Sequence, residues 1–135
     1  MSRAFPRSQA SLGSVRRAAL WFGFLGGAFA WALHFLTAYA IAEFGCVGGW
    51  GARIYGGISL VAWMELVATA IAVGLAAAAT RVAYRTERQL LNREPDDAQS
   101  VGEKYTARAG LLASGFFTFV ILFESIPIFF YLHDC

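Results

Sequence analysis

The chain reads as an all-α protein, a three-helix transmembrane bundle running up-down-up, and three observations predict it. Apolar runs cover residues 20–44, 54–80 and 109–132. Each is longer than the ~20 residues a helix needs to cross a ~30 Å hydrocarbon core. Hydrophobic residues make up 58% of the 135 positions, more than an ordinary soluble domain carries. Ten of the eleven Lys and Arg residues precede the first run or separate the second from the third, and only Arg53 lies in the remaining connection. By the positive-inside rule that distribution puts the N-terminus in the cytoplasm and the C-terminus in the periplasm. The expected location is therefore the bacterial inner (cytoplasmic) membrane, crossed several times.

Residues 1–17, which contain Pro6, Gly13 and four arginines, read as a cytoplasmic tail. Residues 18–135 read as one membrane domain, with helices at about 18–44, 54–84 and 105–132 and a cytoplasmic loop at 85–104, whose first residues Arg85, Glu87, Arg88 and Gln89 extend helix two to near Asn92. The first run resembles a signal peptide in its basic lead-in and its Ala-rich end. At about 25 residues it exceeds the ~7–15 of a signal peptide's apolar core, and it holds a histidine. A retained helix is expected.

In the first helix Gly23, Gly27, Ala30 and His34 recur at three- and four-residue intervals, so the histidine shares a face with a Gly-xxx-Gly pair that permits close approach. The connection at 45–57 is short and glycine-rich, which predicts an antiparallel hairpin of helices one and two. In the second helix Glu65, Ala68, Thr69, Ala72 and Ala76 form one small-residue ridge. In the third, Gly110, Ser114, Phe117, Ile121, Glu124 and Ile128 follow a heptad-like pattern that turns Glu124 toward the packing seam. Pro127 frees the carbonyl of Phe123 and bends the end of that helix. Six phenylalanines on it can face lipid or a partner. The arginines of the inner loop are nearly neutralised by Glu87, Glu94, Asp96, Asp97 and Glu103, and no aromatic platform accompanies them. No nucleic-acid partner is expected.

Each span carries one ionisable residue. Counted from the outer ends, His34 lies about 15 Å deep, Glu65 about 16 Å and Glu124 about 12 Å, at 1.5 Å per residue. Packed helices could bring all three into one layer. Buried charge is costly, so such a cluster invites a functional reading. As a proton or ion site, a glutamate would exchange protons with His34 as a second station. As a metal site, one imidazole and two carboxylates suit Zn or Fe. As a cofactor site, His34 could ligate a haem or a pigment, although the only other histidine, His133, lies beyond the third span. The plainer alternative is that these groups pair across the helix seam and specify packing. HExxH, CxxC, GxGxxG and the nucleophile elbow are absent, so a conventional enzyme is not expected.

Cys46 and Cys135 follow the first and third spans and fall on the same, outer side of the predicted topology. A disulfide there would tie helix one to helix three, worth about 2–4 kcal/mol by loop entropy. Two unrelated thiols remain the alternative, as does a metal pair using His133, Asp134 and the cysteines, which has no standard ligand spacing.

The stretch Ala30-Trp31-Ala32-Leu33-His34-Phe35-Leu36-Thr37-Ala38-Tyr39-Ala40, continuing to Cys46, resembles a pattern in small three-helix bacterial membrane proteins encoded beside haem-copper terminal oxidases. The ending Ile126-Pro127 with Asp134-Cys135 is similar to the same group. The resemblance spans most of the chain and carries over Trp31, His34, Tyr39, Cys46, Pro127 and Cys135. It implies association with a respiratory or related electron-transfer complex and says little about mechanism.

The expected function is that of a non-catalytic accessory or assembly subunit of a multi-subunit energy-converting complex, with lipid and other integral subunits as partners. Two alternatives stay open. One is a cofactor-binding or proton-handling protein using His34, Glu65 and Glu124. The other is a small oligomeric channel or transporter, which would need polar faces from Thr37, Ser59, Thr69, Ser114 and Thr118.

Overall fold

A computed structural model describes residues 7–92 and 98–131 of the chain. It is all-helical apart from one short hairpin, with α1 over Arg7–Val47, α2 over Leu60–Leu91 and α3 over Ala98–Tyr131. Among the described residues, three helical segments are long and apolar enough to cross a membrane: Arg17–Val47, Leu60–Leu91 and Val101–Pro127.

The helix ends differ from the sequence expectation in three places, each for a local reason. The helix of the first span begins at Arg7, because Gln9, Ala10, Leu12 and Val15 to Ala18 continue a helix well enough to outweigh Gly13. In the region read as the inner loop, α2 runs on to Leu91, as its helix formers lead one to expect, but α3 already starts at Ala98. Arg85, Glu87, Arg88 and Gln89 are good helix formers outside a membrane as well as in it. The acidic turn at 94–97 lies outside the described residues.

The second span does not start as a helix at 54. Ile54–Tyr55 (β1) pairs antiparallel with Ile58–Ser59 (β2), in the register Ile54 with Ser59 and Tyr55 with Ile58. Gly56 and Gly57 make the two-residue turn with φ of 61° and 83°. Positive φ at both central residues is what a tight hairpin requires and what only glycine adopts freely. Ser59 then caps α2, its hydroxyl accepting the Ala62 amide at 3.2 Å. The Trp63 indole donates to the Tyr55 carbonyl at 3.1 Å and holds the hairpin against the first turn of α2.

The helices approach closely through small residues. A β-carbon on Gly23 would lie 3.0 Å from Ala83 Cβ, and one on Gly26 2.8 Å from Ala79 Cβ. On the other side of α1, a β-carbon on Gly27 would stand 2.5 Å from Ser114 Cα, while Gly110 of α3 approaches the Gly23 carbonyl. Near its end α1 meets α2 again at Gly45 and Val61. Ala30, Ala72, Ala76 and Ile121 form the central apolar cluster, with Trp31 and Val73 against it. Leu20, Leu90 and Ala107 form a second cluster at the opposite end from the hairpin. Lipid tails offer no hydrophobic drive to bring helices together, so backbone proximity of this kind, adding dispersion and weak hydrogen bonds, is what holds such a bundle.

Candidate functional site: a buried polar seam

The middle of the bundle holds a chain of polar side chains drawn from all three helices. His34 of α1 places Nε2 3.0 Å from the Thr69 hydroxyl of α2. Thr69 Oγ1 lies 3.2 Å from Ser125 Oγ of α3, and Ser125 donates to the Ile121 carbonyl of its own helix at 2.7 Å. His34 Nε2 also lies 3.5 Å from Glu65 Oε1. The histidine is 3% exposed and the glutamate 2%.

Helical spacing explains the assembly. Glu65 and Thr69 are four residues apart and share a face of α2; Trp31 and His34 are three apart on α1. The small residues Ala72 and Ala76, both buried, let α1 and α3 come near enough for their polar groups to meet. Ala68 is half-buried on the same helix.

Two features make the seam unusual. His34 Nδ1 and both carboxylate oxygens of Glu65 are buried without a hydrogen-bond partner among the described residues. A charge there sits in a medium that penalises it heavily, and Glu124 lies near enough to act electrostatically on His34.

Glu124 is hydrogen-bonded elsewhere: its Oε2 accepts the Trp31 indole N–H at 2.9 Å, on the seam between α1 and α3, yet it lies near enough to act electrostatically on His34. The Trp31 ring packs tilted against Phe117, with centroids 5.5 Å apart, and against Phe35 at 6.1 Å. The depth count placed Glu124 level with His34 but carried no information on rotation; it is the next residue, Ser125, that faces Thr69. Ser125 and the donor role of Trp31 were missed. The available signal was a hydroxyl or indole one helical step from an ionisable residue.

The ligand-binding readings meet this geometry unevenly. Among the described residues no group of three or more His, Cys, Asp or Glu side chains is placed to hold a metal ion. Of the two His34 ring nitrogens, Nε2 is engaged by Thr69 and Nδ1 is buried, which does not favour ligation of a haem or pigment. A groove of about 480 Å³ runs along α1 and α2, with His34, Thr37, Met64 and Leu75 on its walls and no contribution from α3.

Of the hydroxyls a pore would need, Thr37 lines the groove and the others are bonded within the bundle. Ser114 donates to the Gly23 carbonyl at 2.6 Å, Thr118 to Ser114 and Thr80 to Ala76. Ser59 caps α2 and Thr69 sits in the seam. Cys46 lies in the last turn of α1, its carbonyl accepting the Gly49 amide at 3.2 Å. Cys135 and His133 lie outside the described residues, and the pairing of the cysteines with them. Among the described residues there is no free cysteine. Comparison with family models, with curated proteins and with solved structures finds no match to this chain.

Proposed function

We propose that this chain is an accessory or assembly subunit of a multi-subunit, energy-converting complex in the bacterial inner membrane, and that it turns over no substrate itself. The observation that carries the reading is the polar seam: His34, Thr69 and Ser125 link α1, α2 and α3 in one hydrogen-bonded chain, with His34 and Ser125 buried and Thr69 half-buried. Such a chain suits a structural clamp. The outer surface of the bundle is broadly apolar, with Phe29, Leu36, Phe44, Phe119 and Phe123 all exposed, as lipid and neighbouring subunits require. The energy-converting character rests on the resemblance carried by Trp31, His34, Tyr39, Cys46, Pro127 and Cys135.

In this reading the N-terminus is cytoplasmic and the helices run up-down-up, so the hairpin and both cysteines are periplasmic. A Cys46–Cys135 disulfide in that oxidising compartment ties α1 to the end of the chain.

A second reading has one observation in its favour. The two unpartnered oxygens of Glu65, beside His34, form a pair that could take up and release a proton. One preparation separates the two. The tagged protein is purified in mild detergent from its own membrane, and its companions and visible spectrum are recorded. Stoichiometric subunits of a respiratory or related complex, with a spectrum unchanged by His34→Ala, support the accessory role. A lone chain whose pigment or metal vanishes in His34→Ala refutes it.

A further inference from the structure

We infer that the polar seam runs in one hydrogen-bond direction and holds His34 as the Nε2–H tautomer, leaving Nδ1 to take up a proton. Thr69 and Ser125 are then positioning residues for the histidine. The inference goes beyond the accessory reading, and it names for the second reading the atom at which a proton enters.

The direction is fixed at the far end of the seam. The Ile121 carbonyl can only accept, so Ser125 spends its one hydroxyl hydrogen on it, at 2.7 Å. Toward Thr69, 3.2 Å away, Ser125 has only lone pairs to offer, and Thr69 must donate. Thr69 has no second hydrogen. At its 3.0 Å contact with His34 it therefore accepts, and Nε2 carries the hydrogen. A hydroxyl that bonds back to the carbonyl four residues earlier recurs in this bundle, at Thr80, Thr86 and Thr118. At Ser125 the same local bond acts, through Thr69, on a ring of another helix.

The other ring nitrogen is left without a partner. Nδ1 is buried and has no hydrogen-bond partner among the described residues. In a neutral imidazole with its hydrogen on Nε2, Nδ1 is a bare lone pair. Protonation there gives an imidazolium that keeps its bond to Thr69. Acids act on the ring from both neighbouring helices: Glu65 of α2, with Oε1 3.5 Å from Nε2, and Glu124 of α3 through its field. Further along α1 toward the hairpin, Tyr39 and Glu43 are exposed. The hydroxyls cannot pass the proton on. Their chain ends on a carbonyl, which has none to release, so the seam orients the histidine and does not conduct.

The test is nitrogen NMR on the full chain in detergent micelles, with isotope-labelled histidine and His133→Asn to leave His34 as the sole signal. Protonated and bare ring nitrogens differ widely in shift, and couplings to the ring hydrogens tell Nδ1 from Nε2. In mildly alkaline buffer the form with bare Nδ1 is expected in about ten-fold excess or more over its tautomer. Acidification is expected to move the Nδ1 signal to the protonated position, with the Nε2 signal little changed. Ser125→Ala frees the Thr69 hydrogen for Nε2, and the excess should fall several-fold. Thr118→Val, which removes a bond within α3, should leave it unchanged. A dominant Nδ1–H form, an even mixture or a doubly protonated ring in alkaline buffer overturns the inference and needs no variant of the seam. An undiminished excess in Ser125→Ala overturns the positioning role of the hydroxyls. The expected tautomer with an Nδ1 that stays bare until the protein unfolds overturns proton uptake, and the second reading with it. The accessory role is decided separately, by what co-purifies with the chain.

Discussion

At the scale of the residue, His34 and Glu65 are buried side by side, Nε2 3.5 Å from Oε1, while His34 also meets Thr69 at 3.0 Å. Replacing one leaves the other buried and unmatched, whereas replacing both by apolar residues removes the problem. His34→Leu or Glu65→Leu alone should each lower stability by about 1–2 kcal/mol, the range of polar contacts within membranes. The double substitution should cost clearly less than the two combined. Unfolding in mixed micelles measures this, and strictly additive losses would show that the two side chains do not act as a pair. Trp31→Phe keeps the packing on Phe117 and removes only the N–H that meets Glu124. It should cost about 0.6–2 kcal/mol on the same titration. The pair was legible in the sequence because an ionisable residue in an apolar run has few tolerable surroundings. The company it keeps was less so: depth follows from counting residues, but rotation about the axis of α3 decided that Ser125, rather than Glu124, meets Thr69.

At the scale of the element, the small residues of α1 divide into those that touch a neighbour and those that do not. A side chain on Gly27 would collide with the backbone of α3 at Ser114, so Gly27→Val must push α1 and α3 apart. A loss of about 1–3 kcal/mol is expected, the usual cost of overpacking. Gly74 of α2 has open space where its β-carbon would be. Gly74→Ala should be neutral or stabilise by up to about 1 kcal/mol, the helix-propensity gain. The thermal midpoint should fall in Gly27→Val and hold or rise in Gly74→Ala; equal losses would contradict the packing described. The existence of the three helices was legible because charge is excluded from residues 20–44, 54–80 and 109–132. Of their ends, the overhang of α2 to Leu91 was legible in the helix formers Arg85, Glu87 and Arg88, whereas the starts of α1 at Arg7 and α3 at Ala98 were not, because an apolar run does not mark how far a helix extends into water. The hairpin at Ile54–Ser59 was hidden inside an apolar run, although Gly56-Gly57 between Tyr55 and Ile58 is the signal of a tight turn.

At the scale of the whole molecule, an apolar exterior wraps a polar seam and a half-buried acid. Reporter fusions at the two termini should place the N-terminus in the cytoplasm and the C-terminus in the periplasm. Both termini on one side would contradict an odd number of crossings. If Cys46 and Cys135 are bonded, neither thiol should react with a maleimide until a reductant is added, and reaction of both without one would refute the bond.

The seam itself admits the most direct test of whether this chain supports a complex or works within it. The doubly substituted His34→Leu/Glu65→Leu protein is expressed in place of the natural one, and both the amount of assembled complex and its turnover are measured. A structural seam predicts that complex accumulates and turns over at close to the natural level, because apolar side chains of similar volume restore the packing. Normal assembly with turnover abolished would contradict that account and make His34 and Glu65 the working groups.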